Sequence, residues 1–435
     1  MKNANKTWQN WNGNIKHTYE KIYYPKSEPE LRRIIANSAK VRVVGAGHST
    51  SDIAGGTDTL ISLKKYNRIK NIDHKNKRIT IESGAMLSDL LDELSKLKWT
   101  IPCLPDISSI SIGGAIATAT HGTSDEGYIL SQYVVALRLI TADGQIQIID
   151  ELNDNMAAVR VSLGVLGIIS EVTFQCTEEY ILHIKERPIR DKVWVDKFDM
   201  LARNHDFFRV LWLPHTGFGY VITGDKVTDY QSIKQKKGPR HLKYRRYLST
   251  KLYEICFNYP RFSVYINKLI FLLFYTFKKE HSGNLYETTV TKVRGKGTSE
   301  ITEWTVARDN FHDLFVELKK EFESHNNIAY AHIPMDIRIV KRDNSWLSYA
   351  YQRDIVTVGL TCRVPSKADE YEAFRSIERI FLKYQGRPHW AKKFLADGKI
   401  LSGLYPKWSD FLELRESLDP KKKFLNKYLL KVFTQ

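Results

Sequence analysis

The stretch VRVVGAGHS at positions 41–49 decides the fold that the sequence predicts. VRVV is typical of a buried strand, and Gly45-Ala46-Gly47 ends it in a loop of bare backbone. Exposed N–H groups in such a loop bind anions, which predicts a phosphate site. A Rossmann dinucleotide site would need a third glycine where Thr50 stands and an acidic residue about 20 positions later, where Lys65 and Tyr66 stand. Taken alone, the glycine pair leaves an ordinary turn as the alternative.

Strand-like and helical runs alternate around this loop, over about 40–175. HKNK (74–77) and ADGQ (142–145) each separate two strand-like runs and predict hairpin turns. Apolar residues recur at helical spacing over 86–97. This order predicts an α+β domain with local antiparallel pairing, and the longer aromatic strands and helices after about Glu178 predict a second domain.

The composition excludes several classes of protein. The chain has 435 residues, 43% of them hydrophobic and 12% aromatic, so it can bury sizeable cores and is not disordered as a whole. Its four cysteines form no CxxC pair, which argues against a disulfide framework and a cysteine zinc site. The N-terminal MKNANKTWQNWNGN lacks the apolar region of a signal peptide. We therefore expect a cytoplasmic or peripherally membrane-associated protein that is not secreted.

Basic charge is concentrated in one stretch. The chain carries 66 Lys+Arg against 49 Asp+Glu, a net charge of +17, and no acidic residue lies between Asp229 and Glu254. An apolar, aromatic run follows at 262–277, shorter than the roughly 20 apolar residues that a membrane span needs. Together they predict an anchor over about 230–280 that binds an anionic membrane surface, with a core helix and a solvated basic flank as the alternative. No nucleic-acid-binding motif accompanies the charge, so we expect no nucleic-acid partner.

Two further segments are rich in small residues. SIGGAIATATHGT (111–123) leaves room for a flat ligand against the backbone, and a tightly packed helix–sheet crossing is the alternative. SLGVLGIISEVTFQ (162–175) contains two glycines followed by a run that is typical of a buried strand. Neither segment identifies a function by itself.

In this order the three segments resemble the FAD-binding domain, of the PCMH type, of the vanillyl-alcohol-oxidase superfamily. WLSYAYQRD, GRPHWAK and LDPKKKFLNKYLLKVF are similar to segments of the aldonolactone oxidase family, including its L-gulono-1,4-lactone-oxidising members. The resemblance implies an α+β fold with a two-subdomain FAD-binding domain at 1–180 and an antiparallel-sheet substrate domain at 181–400. It also implies that residues 401–435 pack back near the FAD domain.

The resemblance implies FAD as the cofactor and no metal. His48 matches the histidine that bonds FAD covalently through the 8α-methyl group, and an imidazole beside a pyrophosphate loop is a competent nucleophile. A hydrogen-bonded structural histidine is the alternative. The positions that match FAD contacts in the family are Val41, Arg42, Val43, Val44, Gly45, Ala46, Gly47, Ser49, Ser111, Ala115, Ala119, Thr120, His121, Gly122 and Ile168.

The resemblance also places substrate chemistry in the second domain. Asp336 and Arg338 are two apart on a predicted strand and point the same way, so they can form one polar site. Arg338 and Lys392 would place positive charge near the substrate oxygen and the reduced flavin. Thr361 and Ser111 would hydrogen-bond the substrate. Without the resemblance, surface ion pairs would be the preferred interpretation of these charges.

The implied reaction is oxidation of an aldono-1,4-lactone at C2, with hydride passing to flavin N5 and dioxygen as the acceptor. The products would be hydrogen peroxide and an ascorbate-type compound. The alternatives are a dehydrogenase that uses a quinone or cytochrome, and a basic membrane- or nucleic-acid-binding protein with a vestigial flavin fold. Two departures from the family bear on substrate preference: Asp336 stands where the family usually has Glu, and Phe394 where close relatives tend to have His.

Overall fold

The computed structural model describes residues 6–227, 248, 251–252, 255, 259–291, 300–324, 330–331, 334–363 and 367–434. The described strands are β1 (Lys6–Gln9), β2 (Lys16–Tyr19), β3 (Lys21–Tyr23), β4 (Val41–Val44), β5 (Thr59–Ser62), β6 (Ile69–Asp73), β7 (Arg78–Glu82), β8 (Trp99–Thr100), β9 (Val134–Ile140), β10 (Ile146–Asp150), β11 (Ile168–Gln175), β12 (Thr177–Glu178), β13 (Ile181–Arg190), β14 (Phe207–Trp212), β15 (Phe218–Val227), β16 (Lys279–Asn284), β17 (Glu300–Ala307), β18 (Tyr330–Ala331), β19 (Met335–Val340), β20 (Ile355–Arg363) and β21 (Arg387–Pro388). The described helices are α1 (Glu28–Ala36), α2 (Leu87–Lys96), α3 (Ile112–Ala117), α4 (Met156–Val159), α5 (Asp191–Asp196), α6 (Phe198–Arg203), α7 (Ser263–Phe274), α8 (Leu285–Thr289), α9 (Phe311–Glu323), α10 (Lys367–Lys383), α11 (Gly398–Leu404), α12 (Trp408–Leu418) and α13 (Lys427–Phe433).

Two sheets in the N-terminal part carry the predicted alternation of helices and strands. Strands β10, β9, β11, β7 and β6 form an antiparallel sheet in that order, and its β6–β7 and β9–β10 pairs confirm the two predicted hairpins. Strands β3, β5 and β4 form a separate parallel sheet. The expectation of local antiparallel pairing is wrong for this sheet. Helix α1 carries the chain from β3 to β4, and a helical crossover of this kind joins parallel strands.

A large antiparallel sheet occupies the second half of the chain. Its strand order is β16-β13-β15-β14-β19-β20-β17-β21, and β18 pairs with β20. In the β14–β19 pair, Arg209 stands opposite Arg338 and Leu211 opposite Asp336. Strand β20 then separates β19 from β17, which carries Glu303. The sheet therefore brings charged residues from distant parts of the sequence to neighbouring strands.

The C-terminal segment packs against the loop that follows β4. Helix α12 stops just before buried Asp419, whose carboxylate accepts hydrogen bonds from the N–H groups of Lys423 and Phe424. Asn426 caps α13 and donates from its side-chain amide to the Gly55 carbonyl at 2.6 Å. The bond from Asn426 ties the C-terminal segment to this loop.

Helix α7 lies at the surface with two different faces. Ile270 and Phe274 are buried, whereas Tyr265 and Leu272 are 70% and 64% exposed. Within the part of the chain that the structure describes, no helix has both the length and the apolar character to cross a membrane. The basic residues over 234–246, predicted as part of the membrane anchor, lie outside the described residues.

Candidate active site

A cleft runs between the loop after β4 and the large sheet. One part has about 990 Å³ of open space, and residues 45–49, Ser111, Arg338 and Lys392 are among those that line it. A second part of about 680 Å³ extends to Ile168. The two parts share the lining residues Val43, Gly45, Ile53, Ser111, Gly114 and Thr118. They therefore form one continuous cleft.

The backbone floor of the cleft consists of residues 43–49, Ser111 and residues 113–115. A Cβ atom on Gly45 would lie 1.7 Å from Oγ of Ser111. Only glycine therefore lets the end of β4 approach the start of α3 this closely. The N–H of Ala46 donates to the same Oγ at 3.4 Å. Two bare main-chain segments thus meet at the predicted phosphate loop.

His48 lines the cleft at the end of this loop. Its imidazole stacks on the indole of Trp11, with ring centres 4.8 Å apart and planes 18° apart. The N–H of Trp11 donates to the Gly47 carbonyl at 2.8 Å, which ties the stacking partner to the loop. His48 thus packs on a residue that the sequence motif does not include.

Arg42 lies in the second part of the cleft with its guanidinium turned to protein carbonyls. It donates to the carbonyls of Ile53, Leu163 and Phe424 at 2.8–2.9 Å. Burial lowers the pKa of Arg42 to about 10. This side chain therefore joins the loop, the segment before β11 and the C-terminal segment.

The other predicted FAD contacts fall into two groups. Those that line the cleft are Val43, Val44, Gly45, Ala46, Gly47, Ser49, Ser111, Ala115, Thr120, His121 and Ile168. Val41, Ala119 and Gly122 lie behind it. Val41 is buried in the parallel sheet, the Ala119 carbonyl accepts the Tyr349 hydroxyl, and a Cβ on Gly122 would lie 2.3 Å from the Leu104 carbonyl oxygen.

The opposite side of the cleft is a charged wall made of Asp106, Arg209, Glu303, Asp336 and Arg338. Arg209 holds Asp336 by two hydrogen bonds, from Nε to Oδ1 at 2.7 Å and from Nη2 to Oδ2 at 2.6 Å. Arg338 Nε lies 3.3 Å from Oδ2 of Asp336, and its Nη2 lies 3.5 Å from Oε1 of Glu303. The structure thus brings the predicted pair Asp336 and Arg338 together. Arg338 lines the cleft, whereas Asp336 stands behind it.

Electrostatics keep Arg338 and Glu303 of the wall ionised. Burial favours the neutral form of Arg338, but the carboxylates of Asp336, Glu303 and Asp106 outweigh burial and raise its pKa above the usual value. Burial likewise opposes the charge on Glu303, yet the charges of His121 and Arg338 hold the pKa of Glu303 well below its usual range. A permanent cation therefore faces the cleft.

Two buried histidines flank Glu303. His121 places Nε2 2.8 Å from Oε1 of Glu303 and Nδ1 2.9 Å from the Gly122 carbonyl. Both partners accept, so both bonds form when each ring nitrogen of His121 carries a proton. His389 accepts the Ala391 N–H at Nδ1, 3.1 Å away, and burial lowers the pKa of His389 to about 3. His389 is therefore neutral, with its proton on Nε2.

His121, Glu303 and His389 also have the composition of a metal site, since their ligand atoms lie within 4.8 Å of one another. Their hydrogen bonds oppose that use. Nε2 of His121 is engaged by Glu303, Nε2 of His389 carries a proton, and the Arg338 guanidinium near Glu303 repels a cation. The cluster is better suited to a hydrogen-bonded wall.

Three further positions singled out in the sequence are Lys392, Thr361 and Phe394. Lys392 lines the cleft, and its N–H donates to the His389 carbonyl at 2.9 Å. Thr361 lies on β20 opposite Ile301, outside the lining of either part of the cleft. Phe394 is buried behind Trp390, with ring centres 6.0 Å apart. A change at Phe394 would reach a ligand only through its neighbours.

Four residues of the site were not predicted from the sequence: Asp106, Arg209, Glu303 and Trp11. Two of them had a detectable signal, because a charge stands inside an apolar strand in FFRVLW (207–212) and in EITEWTVA (300–307). A buried charge in such a run needs a partner. Asp106 and Trp11 lie in loops and had no comparable signal.

The residues of the cleft fit FAD. The floor offers main-chain N–H groups for a pyrophosphate, and Ile53, Ile107 and Ile110 give apolar walls for a flat ring system. The whole fold is similar to a crystal structure of cholesterol oxidase from B. sterolicum, with a TM-score of 0.79 at 16% identity over 99% of this chain and 97% of that one. Fold and site together define an FAD-binding oxidoreductase with the PCMH-type fold.

The particular family follows from the sequence comparisons. The family model for D-arabinono-1,4-lactone oxidase matches residues 172–432, and that for the FAD binding domain matches residues 20–150. L-gulonolactone oxidase of Mus musculus is 33% identical, with 98% of each chain covered. L-gulono-1,4-lactone dehydrogenase of Mycobacterium tuberculosis is 31% identical with the same coverage. The protein belongs to the aldonolactone oxidase and dehydrogenase family of FAD enzymes.

Proposed function

We propose that this protein oxidises an aldono-1,4-lactone of the L-gulono type at C2, with dioxygen as acceptor and hydrogen peroxide and an ascorbate-type lactone as products. The observation that carries the proposal is the cleft itself, in which the glycine loop with His48 faces Arg338 and Lys392. FAD supplies the hydride acceptor when it is bound. The relatives named above support the substrate class.

In this proposal the side chains of the chain bind and orient the lactone. Arg338 and Lys392 stabilise negative charge on the oxygen at C2 as its proton leaves. Ser111 hydrogen-bonds another substrate oxygen, and Asp336 positions Arg338. Apolar residues around the floor keep water out, which strengthens these interactions.

The test is anaerobic mixing of the purified enzyme with a panel of aldono-1,4-lactones and sugar alcohols, followed by admission of air. We expect the flavin absorbance to bleach with L-gulono-type lactones and to return in air with formation of peroxide. A flavin that no lactone bleaches would refute the lactone oxidation.

A dehydrogenase is the second candidate, and the mycobacterial relative named as a dehydrogenase favours it. In that case the bleached flavin would recover slowly in air and rapidly with a quinone or a cytochrome. The same anaerobic experiment therefore separates the two acceptors.

Covalent attachment of FAD to His48 forms part of the proposal. Its support is the position of the imidazole at the cleft, stacked on Trp11. We expect flavin to stay with the protein after acid precipitation and to appear in the supernatant for His48→Ala. Release of all flavin from the unmodified chain would contradict the attachment.

We also propose that the exposed face of α7 binds an anionic membrane surface. Phe262, Tyr265, Leu272 and Phe277 are more than half exposed, and Lys268 is exposed beside them. Apolar rings next to cations suit the headgroup boundary of a bilayer. We expect the protein to float with phosphatidylserine-containing vesicles and Leu272→Asp to float less. The matched control is Leu152→Asp, at another exposed leucine; equal flotation of both variants would refute this use of α7.

A further inference from the structure

A pair of hydrogen bonds joins the loop that carries His48 to the segment that carries Lys392. The main-chain N–H of Thr50 and the hydroxyl of Ser51 donate to the carbonyls of residues 391 and 390, respectively, each at 2.8 Å. Both donors belong to buried residues, so bulk water does not compete for these bonds. We call this pair of bonds the loop junction. It connects the histidine proposed to hold the flavin with the lysine proposed to meet the substrate.

The segment that carries Lys392 is also fixed on its other side. The N–H of His389 donates to the Glu303 carbonyl at 2.9 Å, and the N–H of Lys393 donates to the Ile301 carbonyl at 3.0 Å. Both acceptors lie on β17, the strand that supplies Glu303 to the charged wall. The segment is therefore held between the large sheet and the loop after β4, and Lys392 lies within it.

The two bonds of the loop junction differ in how easily they could be replaced. Besides the N–H of Thr50, the Ala391 carbonyl has the Ser49 hydroxyl at 3.2 Å and the Thr50 hydroxyl at 3.4 Å. Within the part of the chain that the structure describes, Ser51 is the only donor to the Trp390 carbonyl. Loss of the Ser51 hydroxyl would leave this carbonyl without a partner on a buried residue, which costs free energy. The segment can relieve that cost only by shifting.

Such a shift would matter because of what stands directly after the Trp390 and Ala391 carbonyls. In the proposed function, Lys392 stabilises negative charge on the C2 oxygen, and this effect depends on its position relative to the flavin that His48 holds. A misplacement of about 1 Å at a reacting centre can cost about 10²-fold in rate.

We propose that Ser51 is a positioning residue, whose bond to the Trp390 carbonyl fixes Lys392 relative to the flavin. This inference rests on the proposed function and adds a residue that acts through Lys392. It requires that the Ser51 hydroxyl influence the rate of lactone oxidation only while the lysine side chain is present.

The test is rapid mixing of the enzyme with L-gulono-1,4-lactone in the absence of oxygen. It gives the rate constant of flavin reduction at saturating lactone and the dissociation constant of the lactone. We expect Ser51→Ala to lower the rate constant by about 10-fold, because Lys392 acts on charge that develops in the transition state. The dissociation constant should change less than about threefold, and the flavin content should equal that of the unmodified enzyme.

A double-mutant cycle shows whether Ser51 acts through Lys392. In Lys392→Met the flavin should be reduced slowly, and the addition of Ser51→Ala should lower the rate constant by less than about twofold, since no amine remains to be positioned. A merely structural role would give the same factor in both backgrounds.

Two further variants complete the experiment. Ser170→Ala is the matched control, because its buried hydroxyl also donates to a main-chain carbonyl, that of Arg138, and it lines neither part of the cleft. Its flavin should be reduced at the unmodified rate. Ser51→Cys keeps a weaker donor of similar size and should give a rate between those of Ser51→Ala and the unmodified enzyme. It also replaces Ser51→Ala if that variant does not fold.

The outcomes separate the two proposals. If L-gulono-1,4-lactone does not reduce the flavin of the unmodified enzyme, the proposed function fails and this inference fails with it. If the lactone reduces the flavin but Ser51→Ala keeps the unmodified rate, or loses the same factor with and without Lys392, the role of Ser51 alone is refuted. If Lys392→Met keeps the unmodified rate, the inference is refuted while the lactone oxidation stands.

Discussion

The backbone floor and the charged wall of the cleft meet a ligand by different means. The floor uses main-chain atoms from two short segments, and its specificity lies in the absence of side chains at positions such as Gly45. The wall uses side chains from β14, β17, β19 and the loop at Asp106, and its specificity lies in how charges compensate one another. The floor tolerates no added atom at Gly45, whereas the wall tolerates no unbalanced charge.

The largest effect should come from filling the floor. In Gly45→Val, the added Cβ atom would lie 1.7 Å from Oγ of Ser111. We expect a loss of about 3 kcal/mol in the free energy of unfolding and a purified protein without flavin. Absorbance spectra and chemical denaturation measure both. Gly403→Val is the matched control, because a Cβ there meets no atom within 4 Å; equal flavin loss in both variants would remove the reason given for Gly45.

The next effect should come from changing the wall cation. Arg338→Lys keeps the charge but loses the planar guanidinium that lies between Asp336, Glu303 and Asp106. We expect kcat/KM for the lactone to fall by about 10²–10³-fold, the usual cost of one lost donor at a developing oxyanion.

Flavin content should stay unchanged in this variant, since the floor is intact. Arg342→Lys, at an exposed arginine, is the control. A variant with normal kcat/KM would show that Arg338 has no part in the reaction.

A smaller effect concerns the pH dependence of stability. Burial lowers the pKa of His389 from 6.5 to about 3, so the folded state resists a proton that the unfolded state takes up. The contribution of neutral His389 to the free energy of unfolding is therefore fully present above pH 6.5. It is lost as the pH falls from 6.5 toward 3. The loss amounts to at most about 1.4 kcal/mol per pH unit.

His389→Gln removes this titration. Denaturation at several pH values should show a shallower decline for the variant than for the unmodified protein. Parallel declines over that window would mean that His389 is not a neutral buried group.

The smallest effect should come from the neighbour of His48 at the edge of the floor. Trp11→Leu removes a ring stacked at 4.8 Å, an interaction that contributes about 0.5–1.5 kcal/mol beyond burial. We expect a small decrease in thermal stability and a lower fraction of flavin retained after acid precipitation. Trp8→Leu, on the same N-terminal hairpin, serves for comparison, and an identical flavin fraction in the two variants would argue against a specific role for Trp11.

The floor and the wall also differ in how far the sequence predicted them. The glycine loop, the small-residue segment at 111–123 and the hairpins of the antiparallel sheet were predicted, because each depends on residues within one short stretch. The parallel sheet of β3, β5 and β4 was not, because its pairing depends on the crossover by α1. Arg209 and Asp106 were not predicted for the same reason, because their part in the charged wall comes from contacts with residues more than a hundred positions away.

By itself the sequence determined the α+β class, the FAD-binding floor and the family, since these depend on glycines and local patterns that can be recognised one stretch at a time. Only the tertiary structure decided which carboxylate faces the cleft. Asp336 and Asp106 are both acidic. The pairing of β14 with β19 places Asp336 within hydrogen-bond distance of Arg209, whereas Asp106 lines the cleft. Charge compensation acts between side chains that are close in space, and closeness in space is set by the sheet.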